Sequence, residues 1–109
     1  LGANIIKVKP PTDHIESPDA AKVYDQQKID IGSLEARIAH VMESSFGGRR
    51  LVVFSGGAAK GTEDVYAEIR RLREGGANGS IIGRNSFQRT REDALDLLGN
   101  IIKIYQGKF

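Results

Sequence analysis

The sequence predicts an α/β protein built from parallel strand-helix units. Three observations lead there. Short apolar runs at 3–9, 51–57 and 79–84 alternate with longer stretches whose apolar residues recur at helical spacing. Glycines punctuate the returns from helix to strand, as in "FGGRR" and "REGGANGS". The chain also echoes itself: "LGANIIKVK" and "GGANGSIIGR" each set a Gly-Ala-Asn turn before an Ile-Ile strand. Repeated units of this kind imply right-handed crossovers between parallel strands.

Each element has its own local cause. The first strand covers roughly residues 3 to 9. A long connection follows from Pro10 to Gly32, and within it "SPDAAKVYDQQK" reads as a short helix with Ser17 as N-cap and Pro18 at the first helical position. Ser33 caps a second helix from Leu34 to about Ser44, with Leu34, Ile38, Val41 and Met42 on one side. "LVVFSGG" is a continuous apolar run bounded by glycines, which suits a strand covered on both faces. The helix from Thr62 to Glu74 turns Val65, Ile69 and Leu72 inward and stops at Gly75 and Gly76. "GSIIGR" is the third strand. After it, Thr90 and Asp93 form a capping-box pattern ahead of a last helix, whose inward residues are expected to be Ala94, Leu95, Leu98, Ile101, Ile102 and Tyr105.

At 109 residues and 39% hydrophobic, the chain has material for one modest core. It has no cysteine, so disulfides and thiolate metal sites are excluded. No apolar run approaches the roughly 20 residues of a membrane-spanning helix, and no cleavable leader pattern opens the sequence. A soluble, cytoplasmic protein without membrane partners is the expectation. The formal charge is only +2. The densest basic cluster, "IRRLRE", lies on a helix where Arg70, Arg71 and Arg73 fan away from Ile69 and Leu72, and no aromatic residues interleave with it. It reads as a solvated face rather than a nucleic-acid surface. Leu1 is not a natural initiator and a strand begins within three residues of it, so the chain is expected to be a single partial domain, part of a longer protein.

Two architectures accommodate three such units: a small open sheet with helices on both faces, or one arc of a (β/α)8 barrel. Lys7 and Lys9 choose between them. Side chains alternate along a strand, so Ile5, Lys7 and Lys9 share one face and Ile6 and Val8 the other. Under a helical layer Lys7 would be a costly buried charge. Inside a barrel its face points to the interior, where a catalytic group can sit near the C-terminal end of its strand.

The ends of the other strands agree with a barrel. "SGGAAKGT" and "GRNSF" place glycines where a strand hands over to a loop. Glycine lets backbone approach a ligand closely, and free amides attract anions. A phosphate held by Ser55, Gly56 and Gly57 on one side and Gly83 and Arg84 on the other accounts for both loops, with Arg84 able to add a two-pronged contact. "GGAAKGT" has its lysine before the last glycine and is not a P-loop, and no dinucleotide fingerprint is present.

"GANIIKVK", "VVFSGGAAKG" and "GGANGSIIGRNSFQR" together resemble the last three strand-loop units of the bacterial and archaeal class I, Schiff-base fructose-bisphosphate aldolases. The resemblance spans nearly the whole chain. It implies the C-terminal part of a TIM barrel, strands six to eight, with residues 10–32 as a loop over the active-site end. It implies Lys7 as the Schiff-base lysine, and Ser55, Gly56, Gly57, Gly83 and Arg84 as the phosphate-binding segments. No metal or other cofactor is then required. A lysine attacks a carbonyl only when neutral; moving an ammonium three pKa units down from about 10.4 corresponds to roughly 4 kcal/mol. Burial and a second cation nearby both act in that direction, which gives Lys9 a possible auxiliary role.

The implied reaction is reversible cleavage of fructose 1,6-bisphosphate to dihydroxyacetone phosphate and glyceraldehyde 3-phosphate. The alternatives are a related Schiff-base aldolase or thiolase acting on another sugar phosphate, and a non-catalytic phosphate-binding module. The family's proton-transfer tyrosine resembles nothing on these strands. Tyr24 is the one local substitute, and packing is the better reading for it. Asp13, His14 and Glu16 read as a solvated loop, and His14 and His40 form no metal-ligand pattern. "NGS" at 78–80 sits in a tight turn and is discounted as a glycosylation site. Three parallel strands leave sheet edges and an apolar inner face open. The expected partners are therefore a sugar phosphate, the missing N-terminal part of the barrel or a second copy, and a homo-oligomeric assembly. The fragment by itself is expected to be inactive.

Overall fold

The computed structural model describes residues 2–109; Leu1 lies outside the described residues. The elements in chain order are β1 (Ile5–Val8), α1 (Pro18–Gln26), α2 (Leu34–Ser44), β2 (Leu51–Ser55), α3 (Thr62–Glu74), β3 (Gly79–Ile81), α4 (Arg84–Phe87) and α5 (Arg91–Tyr105). The strands form one sheet in the order β1-β2-β3, every pair parallel.

The capping residues act as their chemistry requires. The hydroxyls of Ser17, Ser33 and Thr90 accept from the amides of Ala20, Ala36 and Asp93, which satisfies donors at the starts of α1, α2 and α5. Gly75 and Gly76 end α3, and Gly76 takes a positive φ of 96°. Gly75 has a second cause. A Cβ there would lie 2.5 Å from Ile38 Cβ and 2.8 Å from the Glu35 carbonyl oxygen, so α2 and α3 meet closely only because that position has no side chain.

The helices cover one face of the sheet. Val52 and Phe54 are fully buried beneath them, with Ile38, Met42, Val65, Tyr66, Ile69, Leu72, Leu97, Ile101 and Ile104 completing most of the core. Ile6 and Val8 of β1 pack against the same cluster. The other face has no layer over it: Ile5 is 62% exposed, Leu51 51% and Ile81 46%.

Two expectations need correction. Leu95 and Ile102 are exposed, whereas Leu97 and Ile104 are buried. The apolar residues of this helix span more than half its circumference, and the arc that meets the core centres on Ile101. Leu95 and Ile102 lie about 100° or more round the helix from that centre. The third strand also ends at Ile81, and Arg84–Phe87 form a short helix where strand and loop were expected. Gly83 starts that turn: its carbonyl accepts from the Ser86 and Phe87 amides and from Ser86 Oγ.

The arginine cluster is a helix surface with intramolecular partners. Arg71 Nε lies 3.5 Å from Glu35 Oε1, and the Arg70 guanidinium stacks 5.4 Å from the Phe109 ring centroid. Asn78 turns its side chain to the sheet, where its Oδ1 accepts from the Val52 amide at 2.8 Å. Among the described residues no helix is long and apolar enough to cross a membrane.

Candidate functional site

Lys7 stands on the face without helices. Its register partner is Val53, whose own partner is Gly79, so Lys7, Val53 and Gly79 form one row across the sheet. The next row toward the strand C-termini carries Ser55 and Ile81. That row is about 7 Å further along the strands, within the reach of an extended lysine side chain. Lys7 is exposed, as is Lys9 just beyond β1. The burial that a neutral lysine calls for is therefore not supplied by this chain's own residues.

The two glycine loops lie side by side at the C-terminal ends of β2 and β3. The Gly56 amide donates to the Ile81 carbonyl at 3.1 Å, continuing the strand pairing. Gly57 has φ +79°, a conformation that favours glycine, and the space a Cβ would occupy is open. Ser55 is half-buried, and Gly83 and Arg84 are exposed. Among the described residues Arg84 makes no ion pair. The arrangement thus brings the Ser55–Gly57 segment next to the turn that begins at Gly83.

Three polar anchors hold the surroundings, and sequence reasoning missed them. Asn85, in α4, is buried; its Oδ1 accepts from the Lys60 amide at 2.8 Å and its Nδ2 donates to the Ala58 carbonyl at 3.1 Å. Arg89 donates to the carbonyls of Asn85 and Lys60 and to Thr62 Oγ1. Arg37, on the first turn of α2, donates to the carbonyls of Pro11 and Ile31, both at 2.9 Å, and so ties together the two ends of the long connection after β1. The available signal was an Asn and an Arg four residues apart in "RNSFQR", which share a face only if the segment is helical.

The remaining candidates are engaged locally. The Tyr24 hydroxyl and His40 Nε2 are 3.0 Å apart, and the rings meet edge to face, so Tyr24 joins α1 to α2. His14 and Glu16 pair at 3.1 Å on the exposed loop. Lys60 pairs with Glu68. Tyr105 shares a hydrogen bond of 2.5 Å with Ser80 under the helices; burial pushes its phenol above the usual range, and the Ser80 contact opposes part of that push. Among the described residues no cluster of His, Asp and Glu is placed to hold a metal ion.

Parallel strands with helices confined to one face are the arrangement of an arc of a β/α barrel. This chain is similar in structure to an archaeal fructose 1,6-bisphosphate aldolase, with a TM-score of 0.60 at 21% sequence identity over 94% of this chain. It spans 44% of the length of that aldolase. The family model described as DeoC/LacD family aldolase matches residues 1–89. The chain belongs to the DeoC/LacD family of aldolases. None of the curated proteins compared matches it significantly.

Proposed function

We propose that the whole protein is a class I aldolase that cleaves fructose 1,6-bisphosphate reversibly, with Lys7 as its Schiff-base lysine. The observation that carries this reading is the position of Lys7: it projects from the helix-free face of β1, one row below the glycine loops, in a chain of an aldolase family. The three strands are read as the sixth to eighth of the barrel. The remaining strands, from a longer chain or a second copy, would cover the bare face and supply the desolvation and the proton-transfer group.

The chemistry follows from an amine and a ketose. Lys7 Nζ adds to the substrate carbonyl, and loss of water gives an iminium. A base removes the proton of the hydroxyl beyond the breaking bond. The aldehyde product departs, and the bonding electrons pass into the iminium to form an enamine. Protonation of the enamine carbon and hydrolysis release dihydroxyacetone phosphate and regenerate the amine. Ser55, Gly56, Gly57, Gly83 and Arg84 are assigned to the phosphate, so that the carbonyl lies beside Lys7; positioning of this sort is a large part of such a rate enhancement. Lys9 would add positive charge at the same rim.

Borohydride reduction of the full-length protein with dihydroxyacetone phosphate, followed by peptide mass spectrometry, tests the assignment. An adduct on Lys7 is expected, and Lys7→Met should abolish it together with turnover. Turnover retained by that variant, or an adduct on another lysine, overturns the mechanism. Phosphate binding with no adduct would point to a non-catalytic module, and a substrate panel on the same protein distinguishes fructose 1,6-bisphosphate from other sugar phosphates.

A further inference from the structure

The loop after β2 and the short helix after β3 are far apart in sequence, yet they are joined by a dense polar lock. Asn85 is 3% exposed, the one buried polar residue among those described. Burying a carboxamide costs free energy unless both its ends find partners. Here both do, on the backbone of Lys60 and Ala58, 25 and 27 residues away. Arg89 lies one turn later. Its Nε caps the Asn85 carbonyl at 2.6 Å, while its two terminal nitrogens reach Thr62 Oγ1 at 2.7 Å and the Lys60 carbonyl at 3.0 Å. Gly56 lies against the same carboxamide: a Cβ there would be 3.8 Å from Asn85 Nδ2 and 3.6 Å from the Ile81 carbonyl oxygen.

We propose that Asn85 and Arg89 are positioning residues that hold the Ser55–Gly57 and Gly83–Arg84 loops in register as one surface for a phosphate group, and thereby set the preference for phosphorylated over unphosphorylated carbonyl substrates. The inference rests on the phosphate-binding reading above. Their polar groups bond to the backbone of Ala58, Lys60 and Asn85 and to Thr62, so each acts through the loops it holds. A flexible segment such as Gly56–Gly57 presents its amides in one direction only if something outside it fixes that direction, and ordering it beforehand spares the ligand that entropic cost. The lock also demands these residue types. Asparagine both donates and accepts in one plane, whereas an aspartate in its place would set a carboxylate oxygen against the Ala58 carbonyl. Arginine reaches three acceptors from one rigid fork, which lysine cannot do.

The test compares borohydride trapping of the full-length protein by dihydroxyacetone phosphate and by dihydroxyacetone, in wild type, Asn85→Asp and Arg89→Lys, with circular dichroism and thermal melts as controls for folding. The expected result is a half-saturating concentration for the phosphorylated ketone raised on the order of tenfold to a hundredfold, with trapping by dihydroxyacetone unchanged. Arg89→Lys is the milder change and serves if Asn85→Asp does not fold. Folded variants that keep the wild-type preference, or that lose both ketones equally, overturn the inference while leaving the phosphate reading intact. A wild-type protein that traps both ketones alike overturns the phosphate reading and this inference with it.

Discussion

The two faces of the sheet carry similar residues and have opposite surroundings. On one, Val52 and Phe54 are sealed under α2, α3 and α5; on the other, Ile5, Leu51 and Ile81 stand open to solvent beside Lys7. Alternation along a strand explains which residue goes to which face, but it does not explain why both faces are apolar. A sheet that meets water on one side normally shows polar residues there. The contrast separates residues that hold this chain together from residues that it leaves uncovered.

The largest effect should come from the covered face. Phe54→Ala removes a fully buried ring from the middle strand and is expected to cost about 3 to 5 kcal/mol. Urea unfolding monitored by circular dichroism measures it. A loss under about 1 kcal/mol would mean that the helices collapse onto the gap and that the core is far less specific than its packing implies.

Next in size is the contact between α2 and α3. Gly75→Ala would place a methyl group 2.5 Å from Ile38 Cβ, which is a branch point and cannot swing aside. Overpacking of this kind costs about 1 to 3 kcal/mol. The double variant Gly75→Ala with Ile38→Ala keeps the Ile38 Cβ but removes Cγ2, which lies equally close at 2.5 Å, so it should cost less than the sum of the two single variants. Strictly additive losses would place the strain on Ile38 Cβ and the Glu35 carbonyl instead.

These two predictions also show where the sequence was readable. Helices α2 and α3 were legible to the residue because Ser33, Gly75 and a regular apolar spacing mark them. The strand β2 was equally plain, but cover on both of its faces was expected and only Val52 and Phe54 are buried, because the helices of this chain lie on one side of the sheet; the opposition of Ile6 to Lys7 followed from alternation alone. What could not be read was long-range. Nothing local indicates that Asn85 will meet the Lys60 amide, or that Arg37 will gather both ends of a loop; those partners are fixed by how the units dock. α5 illustrates a different limit. With apolar residues around most of its circumference, only packing against α3 decides that Ile104 is inside and Ile102 outside. The glycines after β2 and β3 were recognisable in the sequence, and the hydrogen bonds of Asn85 and Arg89 beside them were not.

A smaller effect should appear at alkaline pH. The Tyr105 phenol is raised by burial on the helix side of β3. The folded state then holds its proton above pH 10 while the unfolded chain gives it up. The contribution is whole below the unfolded value of about 10 and is lost as pH rises through the folded one. Tyr105→Phe should therefore lower stability near neutrality, through loss of the Ser80 hydrogen bond, and flatten the decline above pH 10. Denaturant midpoints from pH 8 to pH 11 test this, and an unchanged alkaline slope would assign the decline to other groups.

The smallest effect on stability belongs to the bare face, where it coincides with the largest proposed effect on chemistry. Lys7 and Leu51 are exposed on this chain, so Lys7→Met and Leu51→Ser should each change its unfolding free energy by no more than about 0.5 kcal/mol. The reason is that their only same-face neighbours are cross-strand ones, Val53 beside Lys7 and Ile5 beside Leu51, and both positions remain exposed. Against Phe54→Ala this is a difference of several kcal/mol between residues on one sheet, and it can be measured on the same chain under the same conditions. If Lys7→Met instead destabilised the chain by more than about 1 kcal/mol, the lysine would be making packing contacts in solution. The helix-free face would then not be open, and the distinction between a structural face and a functional one would fail. With stability unchanged and Schiff-base trapping lost, the lysine is free of structural duty and its chemistry is the reason for its place.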